Sequence, residues 1–384
     1  MSNILQIDKQ SLKLHRRLHG KIEVTVKAKL DTPQDLALAY TPGVAVVSNI
    51  IAKNKDNALT YTMKKNLVAV VTDGSAVLGL GNIGPEAALP VMEGKCAIFK
   101  KFAGIDAFPI CLSTQKPEKI IQTVKYIAPV FSGINLEDIA APNCFLIERK
   151  LTRILKIPVF HDDQHGTAIV VFAGLINALR VVNKKLSQVI IVINGAGAAG
   201  HAITKILHLA GARKLILLDS KGIISRKRDY LYPHKKELVK ILAKEPARGN
   251  LIVAIKNADV FIGISKGGLL KKRDVKLMNA KPIIFALANP VPEISPEEAE
   301  RGGAAVVATG RSDYPNQLNN ALIFPGLFRG LLDSRAQKVT NKIKLATAYA
   351  LAGLVKNPSP KNIIPSIFDK RVVPTVANAV KKAI

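Results

Sequence analysis

Residues 188–219 read QVIIVINGAGAAGHAITKILHLAGARKLILLD, and this run decides the fold. VIIVIN (189–194) is a short apolar run of the kind that forms a buried strand. Helical spacing takes over at 198–210, and a second strand, KLILLD (214–219), follows. The turn between them is Gly195-Ala196-Gly197-Ala198-Ala199-Gly200. A GxGxxG run alone says little, but between a buried strand and a helix each glycine has a task. Gly195 makes the tight turn, Gly197 lets backbone amides approach a pyrophosphate, and Gly200 allows the helix to pack closely on the strand. Ala198 and Ala199 open the helix, whose N-terminus presents partial positive charge. Asp219 ends the second strand 24 residues after Gly195, where a carboxylate can accept from adenosine ribose hydroxyls. A dinucleotide is the expected ligand, NAD ahead of NADP because a 2′-phosphate would meet the charge of Asp219.

Working toward the C-terminus, DVFIGI (259–264), PIIFAL (282–287) and AAVVAT (304–309) repeat the alternation of strand with loop or helix. Such alternation predicts an α/β fold with a parallel, doubly wound Rossmann-type sheet. The tail, 320–354 and 371–383, has helical spacing. Upstream, 67–73, 95–100, 106–112 and 157–160 read as strands, whereas 117–128, 143–155 and 165–182 read as helices. A chain of 384 residues exceeds one ordinary core. Two domains are expected, 1–164 and 165–384.

The net charge of +28 would suit an acidic partner such as nucleic acid. Yet only 15 of the 56 basic residues are arginine, the side chain favoured for bidentate phosphate contacts, and the lysines are scattered. No nucleic-acid-binding motif spacing appears, so solvated lysines on polar faces are the simpler reading and no nucleic acid is expected. No uninterrupted apolar run reaches the ~18 residues of a membrane span. The first twenty residues lack a secretory signal pattern, and Cys96, Cys111 and Cys144 form no CxxC pair, which together predict a cytoplasmic protein.

Two acidic pairs lie at the ends of apolar runs, Glu137-Asp138 in INLEDI and Asp162-Asp163 in PVFHDDQHG. Unpaired carboxylates held ~4 Å apart repel by about 4 kcal/mol at an intermediate dielectric, so a shared cation would relieve them. A hard ion of the Mg²⁺ or Mn²⁺ kind fits oxygen ligands; two surface pairs never in contact are the alternative. His161 and His165 have zinc-like spacing, but Pro158 and Gly166 speak against one continuous helix presenting both, and hydrogen-bonding histidines are expected. Lys95, entering an apolar run after Gly94, either snorkels outward or has its pKa lowered to serve as a general base. Tyr40, in AYTPGVA, is either a phenol fixed by a Pro-Gly turn or a core tyrosine. Asn289, Asn319 and Asn320 lie just past a buried strand or before a helix, where an amide can donate to a carboxylate or merely form a turn.

Taken together, the runs AYTPGVA (39–45), NLVAVVTDGSAVLGLGNIGPEAALPVMEGK (66–95), FAGIDAFPICL (102–112), GINLEDIAAP (133–142), IPVFHDDQHGTAIVV (157–171), INGAGAAG (193–200), FALANPVPE (285–293) and ATGRSDYPNQLNNALIFPG (308–326) resemble the short prokaryotic malic enzymes, over about residues 12–384. The resemblance implies that residues 1–164 form a malate- and metal-binding catalytic domain and 165–384 an NAD(P)-binding domain. It implies Tyr40 as general acid, Lys95 as general base and Asp162 as proton relay or orienting partner. Glu137, Asp138 and Asp163 would be the metal ligands, Asn289, Asn319 and Asn320 the contacts to substrate or nicotinamide, and Gly195–Gly200 with Asp219 the dinucleotide fingerprint. The implied reaction is oxidative decarboxylation of (S)-malate to pyruvate and CO₂. The alternatives are a malolactic enzyme, which retains NADH and makes lactate, and a catalytically dead basic scaffold that binds nucleic acid. A homodimer or higher oligomer is implied, Leu12–Val24 matching the family's dimerisation element. Two departures stand out: Ala76 occupies the place where larger family members put a substrate-holding arginine, and Ser265-Lys266-Gly267-Gly268 replaces a loop usually reading Ser-x-Pro-Gly.

Overall fold

A computed structural model describes residues 2–77, 79–243 and 248–384. Helix α1 (Ser2–Leu18) leads through an irregular segment to two short helices, α2 (Pro33–Ala39) and α3 (Val44–Lys53). Thr32 caps α2 through a reciprocal bond with Asp35, and Pro33 sits in the first turn. None of the residues in α2 or α3 is buried.

The first sheet is parallel, in the order β2 (Asp106–Cys111), β1 (Leu67–Thr72), β3 (Gly133–Leu136), β4 (Val159–His161). Its connections are α4 (Pro85–Ala103), α5 (Pro117–Ile127) and α6 (Asn143–Ile154). Residues 95–100 are not the expected strand; they belong to α4. Ala88, Met92, Lys95, Cys96 and Phe99 form its buried face at helical spacing, Pro85 opens it, and left-handed Gly104 closes it. A six-residue window of KCAIFK is apolar enough to imitate a strand, and only the full nineteen residues reveal the 3.6 period.

Helix α7 (Asp162–Val182) follows β4 without a linker, beginning three residues before the expected start. It is apolar on almost every side and long enough by composition to cross a membrane, but 72 % of that stretch is buried inside the protein. It packs on α8 (Ala198–Leu209) of the second unit. There the sheet order is β10 (Val306–Thr309), β9 (Ile283–Ala286), β8 (Val260–Gly263), β5 (Ile190–Asn194), β6 (Lys214–Asp219), β7 (Gly222–Ile223), all parallel except the short edge strand β7. Strands β5, β6, β8, β9 and β10 fall within the runs that the alternation predicted. The chain reverses direction across the sheet beside β5, so the carboxyl ends of β5 and β8 open a crevice of the type that binds dinucleotides. Helices α9 (Phe324–Asp333), α10 (Asn341–Ala352) and α11 (Val372–Ala383) complete the core, α9 returning to pack on α4.

Candidate active site

The parallel register of the first sheet explains how two acidic pairs distant in sequence come together. Leu136 pairs with His161, so the residues that follow each, Glu137-Asp138 and Asp162-Asp163, leave neighbouring strand ends on one edge. Helix α4 brings Lys95 to the same edge. The Lys95 side chain is 7 % exposed, and its Nζ donates to Glu137 Oε1 at 2.6 Å and also to Asp162 Oδ2. The ammonium stands 4.4 Å from the ring centroid of Phe324 on α9. Asn135 Nδ2 donates to the other Glu137 oxygen at 2.9 Å and fixes the carboxylate plane. A β-carbon at Gly166 would overlap the Asp162 carboxylate where it now lies, so a larger residue there would displace that acid.

Burial raises Glu137 and Asp162 to about 7 each, and raises Asp163 as well, despite the partial relief that Lys95 gives all three. Lys95 shows the opposite balance. Burial alone would strip its proton, but the charges of Asp162 and Glu137 outweigh it and hold the ammonium well above the usual lysine range. The expectation of a lysine with a lowered pKa is thereby corrected for this arrangement: the groups that make Lys95 useful also keep it charged.

Glu137, Asp138 and Asp163 each place a carboxylate oxygen within 4.8 Å of the others. The Asp138 amide donates to Asp163 Oδ2 at 2.8 Å, and Asp138 itself adopts φ 53°, a left-handed turn that directs the pair. This all-oxygen donor set suits a hard divalent cation. Neither histidine joins it. His165 faces away from the carboxylates, where its Nε2 lies 3.0 Å from Glu148 Oε2.

Glu137, Asp138, Asp163 and Lys95 line a cavity of ≈ 930 Å³ together with Asn289, Asn319 and Asn320. Gly197, Ala198 and Ala199 close its far wall. A second cavity, ≈ 680 Å³, contains Gly195 and Asp219 and meets the first at Ala141, Gly197 and Ser265. The two form one path from the carboxylates past the glycine turn, the shape a dinucleotide requires. Gly195 adopts φ 129°, and a β-carbon on Gly200 would overlap the Gly195 carbonyl, so both glycines answer to sterics. Asp219 is not the unoccupied acceptor that its strand-end position implied. Arg228 donates to both its oxygens at 2.8 Å, Lys235 at 2.7 Å and the Lys221 amide at 2.9 Å. Burial would raise this carboxyl, but the two cations hold it down at about 2.

Tyr40 is the sequence-predicted residue that this chain does not bring to the site: it lies at the end of α2, 66 % exposed and outside the cavity lining. Asn135 and Glu148 are the reverse case, missed in the sequence. Glu148 accepts from the His161 amide (3.1 Å), Gln164 Nε2 (3.3 Å) and His165, bracing the start of α7 from behind. In FLIERK it looks like a solvated helix acid; its only signal is that it falls one turn beyond Cys144 on the buried side.

The description "Malic enzyme, N-terminal domain" matches residues 19–152, and "Malic enzyme, NAD binding domain" matches 164–384. A Bacillus subtilis protein named bifunctional malic/malolactic enzyme is 53 % identical over 99 % of this chain and 93 % of its own length. A Geobacillus stearothermophilus NAD-dependent malic enzyme is 53 % identical over 99 % of this chain and 79 % of its own. The crystal structure of a Thermotoga maritima NAD-dependent malic enzyme superposes with a TM-score of 0.94 at 50 % identity, covering 96 % of this chain and 98 % of that one. Two domain matches and near-full-length identity agree with the lysine–carboxylate cluster beside a dinucleotide crevice: this chain belongs to the malic enzyme family.

Proposed function

We propose that the enzyme oxidises (S)-malate and releases pyruvate and CO₂ while reducing NAD. The observation that carries this reading is Lys95 held between Glu137 and Asp162 in a cavity that opens onto the Gly197–Ala199 turn. When bound, the nicotinamide supplies a hydride acceptor and a Mg²⁺ or Mn²⁺ ion at Glu137, Asp138 and Asp163 supplies Lewis acidity toward the substrate oxygens. Lys95, after passing a proton of its ammonium to Asp162, takes the proton of the substrate hydroxyl. With Glu137 committed to a cation, Asp162 is its remaining carboxylate neighbour and the partner with which it exchanges that proton. Asn289, Asn319 and Asn320 present amides that can hold the substrate carboxylates and the nicotinamide. Ala76 leaves room where larger relatives carry arginine, and Lys21, which lines the same cavity, offers a compensating cation. Tyr40 protonates C3 of enolpyruvate.

Following absorbance of reduced nicotinamide with malate, Mn²⁺ and each cofactor tests the reaction, with NAD expected to give the higher kcat/KM. Pyruvate with free NADH is the expected product. Lactate with no released NADH would establish the malolactic reading, which the similarity to a bifunctional malic/malolactic enzyme keeps in view. Asp219→Ser should shift preference toward NADP, since it frees Arg228 and Lys235 to meet a 2′-phosphate. A wild-type enzyme favouring NADP would overturn the assignment of Asp219.

Tyr40 needs a second copy of the chain. Leu38 (67 % exposed) and Val46 (60 %) stand with Leu36 and Val44 on helices that bury nothing, an apolar surface of the kind that marks a protein interface. A homodimer that covers α2 and α3 would carry the Tyr40 of one protomer into the cavity of the other. Mixing Tyr40→Phe with Lys95→Ala, each inactive alone, should then restore about a quarter of wild-type activity, because half the dimers are mixed and each has one intact site. No recovery in mixed dimers shown to form would place Tyr40 in its own chain's site.

A further inference from the structure

A third cavity, ≈ 610 Å³, lies behind α7 and shares no lining residue with the catalytic one. Helices α6, α7, α8 and α10 enclose it. It contains Arg149 and Arg153 from α6, Lys205 from α8 and Lys344 from α10, so cations arrive from both domains. The two acids in its wall are already engaged. Glu148 accepts from the start of α7, and Glu237 is paired with Lys205 at 3.0 Å and His201 at 2.9 Å. Among the described residues, Arg149, Arg153 and Lys344 make no ion pair within 4.0 Å, though Glu148 attracts Lys344 and Glu237 attracts Arg149 over longer distances. Lys344 Nζ donates to His165 Nδ1 at 3.0 Å, which leaves two ammonium protons for a ligand. Burial pulls Lys344 down to about 8, a cost that an arriving anion would repay.

We propose that this cavity is a regulatory site for a small polyanion, either a phosphate ester or a polycarboxylate, gripped by Lys344 on one side and Arg149 and Arg153 on the other. Its volume suits a metabolite rather than a polymer, and bidentate arginines suit grouped anionic oxygens. The route to the catalytic site is short and made of hydrogen bonds. Lys344 holds His165, His165 donates through Nε2 to Glu148, and Glu148 receives the His161 amide directly before Asp162 and Asp163. A ligand that draws Lys344 toward itself changes the brace behind both acids. Occupancy also ties α6 of the first domain to α8 and α10 of the second.

Calorimetry on the NAD-saturated enzyme tests the site, because NAD fills the other place where phosphate could bind. Inorganic phosphate and tricarballylate are titrated separately. At least one should bind at millimolar concentration or tighter, phosphate alone identifying the phosphate-ester class and tricarballylate alone the polycarboxylate class. Arg149→Ser/Arg153→Ser, both on the exposed side of α6, should weaken binding about tenfold or more and leave turnover without anion unchanged. Lys344→Met should weaken it similarly. Binding of neither probe, or binding that the double variant leaves intact, overturns the proposal. The bound anion should shift KM for malate by about fivefold or more. That readout rests on the malate reaction proposed above, whereas the calorimetric one does not, so the two readings can fail separately.

Discussion

Lys95→Ala should lower kcat/KM for malate oxidation by at least the ~10²–10⁴-fold typical of a lost general acid–base group. The substitution removes the cation that Glu137 and Asp162 share, and burial has already raised both acids to about 7, so each can take up a proton rather than disrupt the fold. Dinucleotide binding should be unchanged, because the Gly195–Gly200 turn does not depend on Lys95. A second variant separates proton transfer from charge. Lys95→Arg keeps a buried cation between the two carboxylates, but a guanidinium cannot give up its proton in a protein. If the lysine is the base, the arginine variant is as slow as the alanine one. If it retained wild-type turnover, the role of Lys95 would be electrostatic only. Rate measurements with malate, paired with fluorescence titration of NADH, decide between these outcomes.

Removal of divalent metal should abolish malate oxidation completely, with Mn²⁺ or Mg²⁺ restoring it. Three carboxylate oxygens lie within 4.8 Å of one another, with Lys95 on one edge of the set. Without metal, burial first and the neighbouring carboxylates second push Glu137 and Asp163 upward, toward their protonated forms. With metal, the same oxygens can remain ionised. Asp163→Ala deletes one donor and should weaken Mn²⁺ binding by more than the ~10–100-fold that loss of an outer-shell partner costs. Electron paramagnetic resonance of free Mn²⁺ measures this without turnover, and circular dichroism checks that the fold survives. Full activity after exhaustive chelation, or unchanged Mn²⁺ affinity in the variant, would remove Asp163 from the metal site.

The nucleotide-binding half was legible because its buried parallel strands are short apolar runs that alternate with loop or helical segments. VIIVIN, KLILLD and PIIFAL are bounded by glycine, aspartate or proline, and each becomes a strand. KCAIFK is equally apolar and becomes helix, since its register with Ala88 and Met92 lies outside the window. The acidic pairs were visible as residues but their meeting was not. It depends on β3 and β4 being neighbours, a pairing set by the whole sheet. Asn135 and Glu148 act through one hydrogen bond or a few, and neither leaves a mark in composition or periodicity. Tyr40 could be given a role only by resemblance, because it lies exposed at the end of α2, outside the cavity lining.

Strand β4 belongs to the first sheet, and the next residue, Asp162, begins the helix whose body packs in the second unit. Two of the four clustered carboxylates, Asp162 and Asp163, therefore stand at the joint between the domains. Lys95 and Glu137 belong to the first unit, while Asp162 and Asp163 stand where the chain passes into the second. A shift of the nucleotide-binding unit against the first sheet would therefore alter the distances from Asp162 and Asp163 to Lys95, Glu137 and Asp138 together.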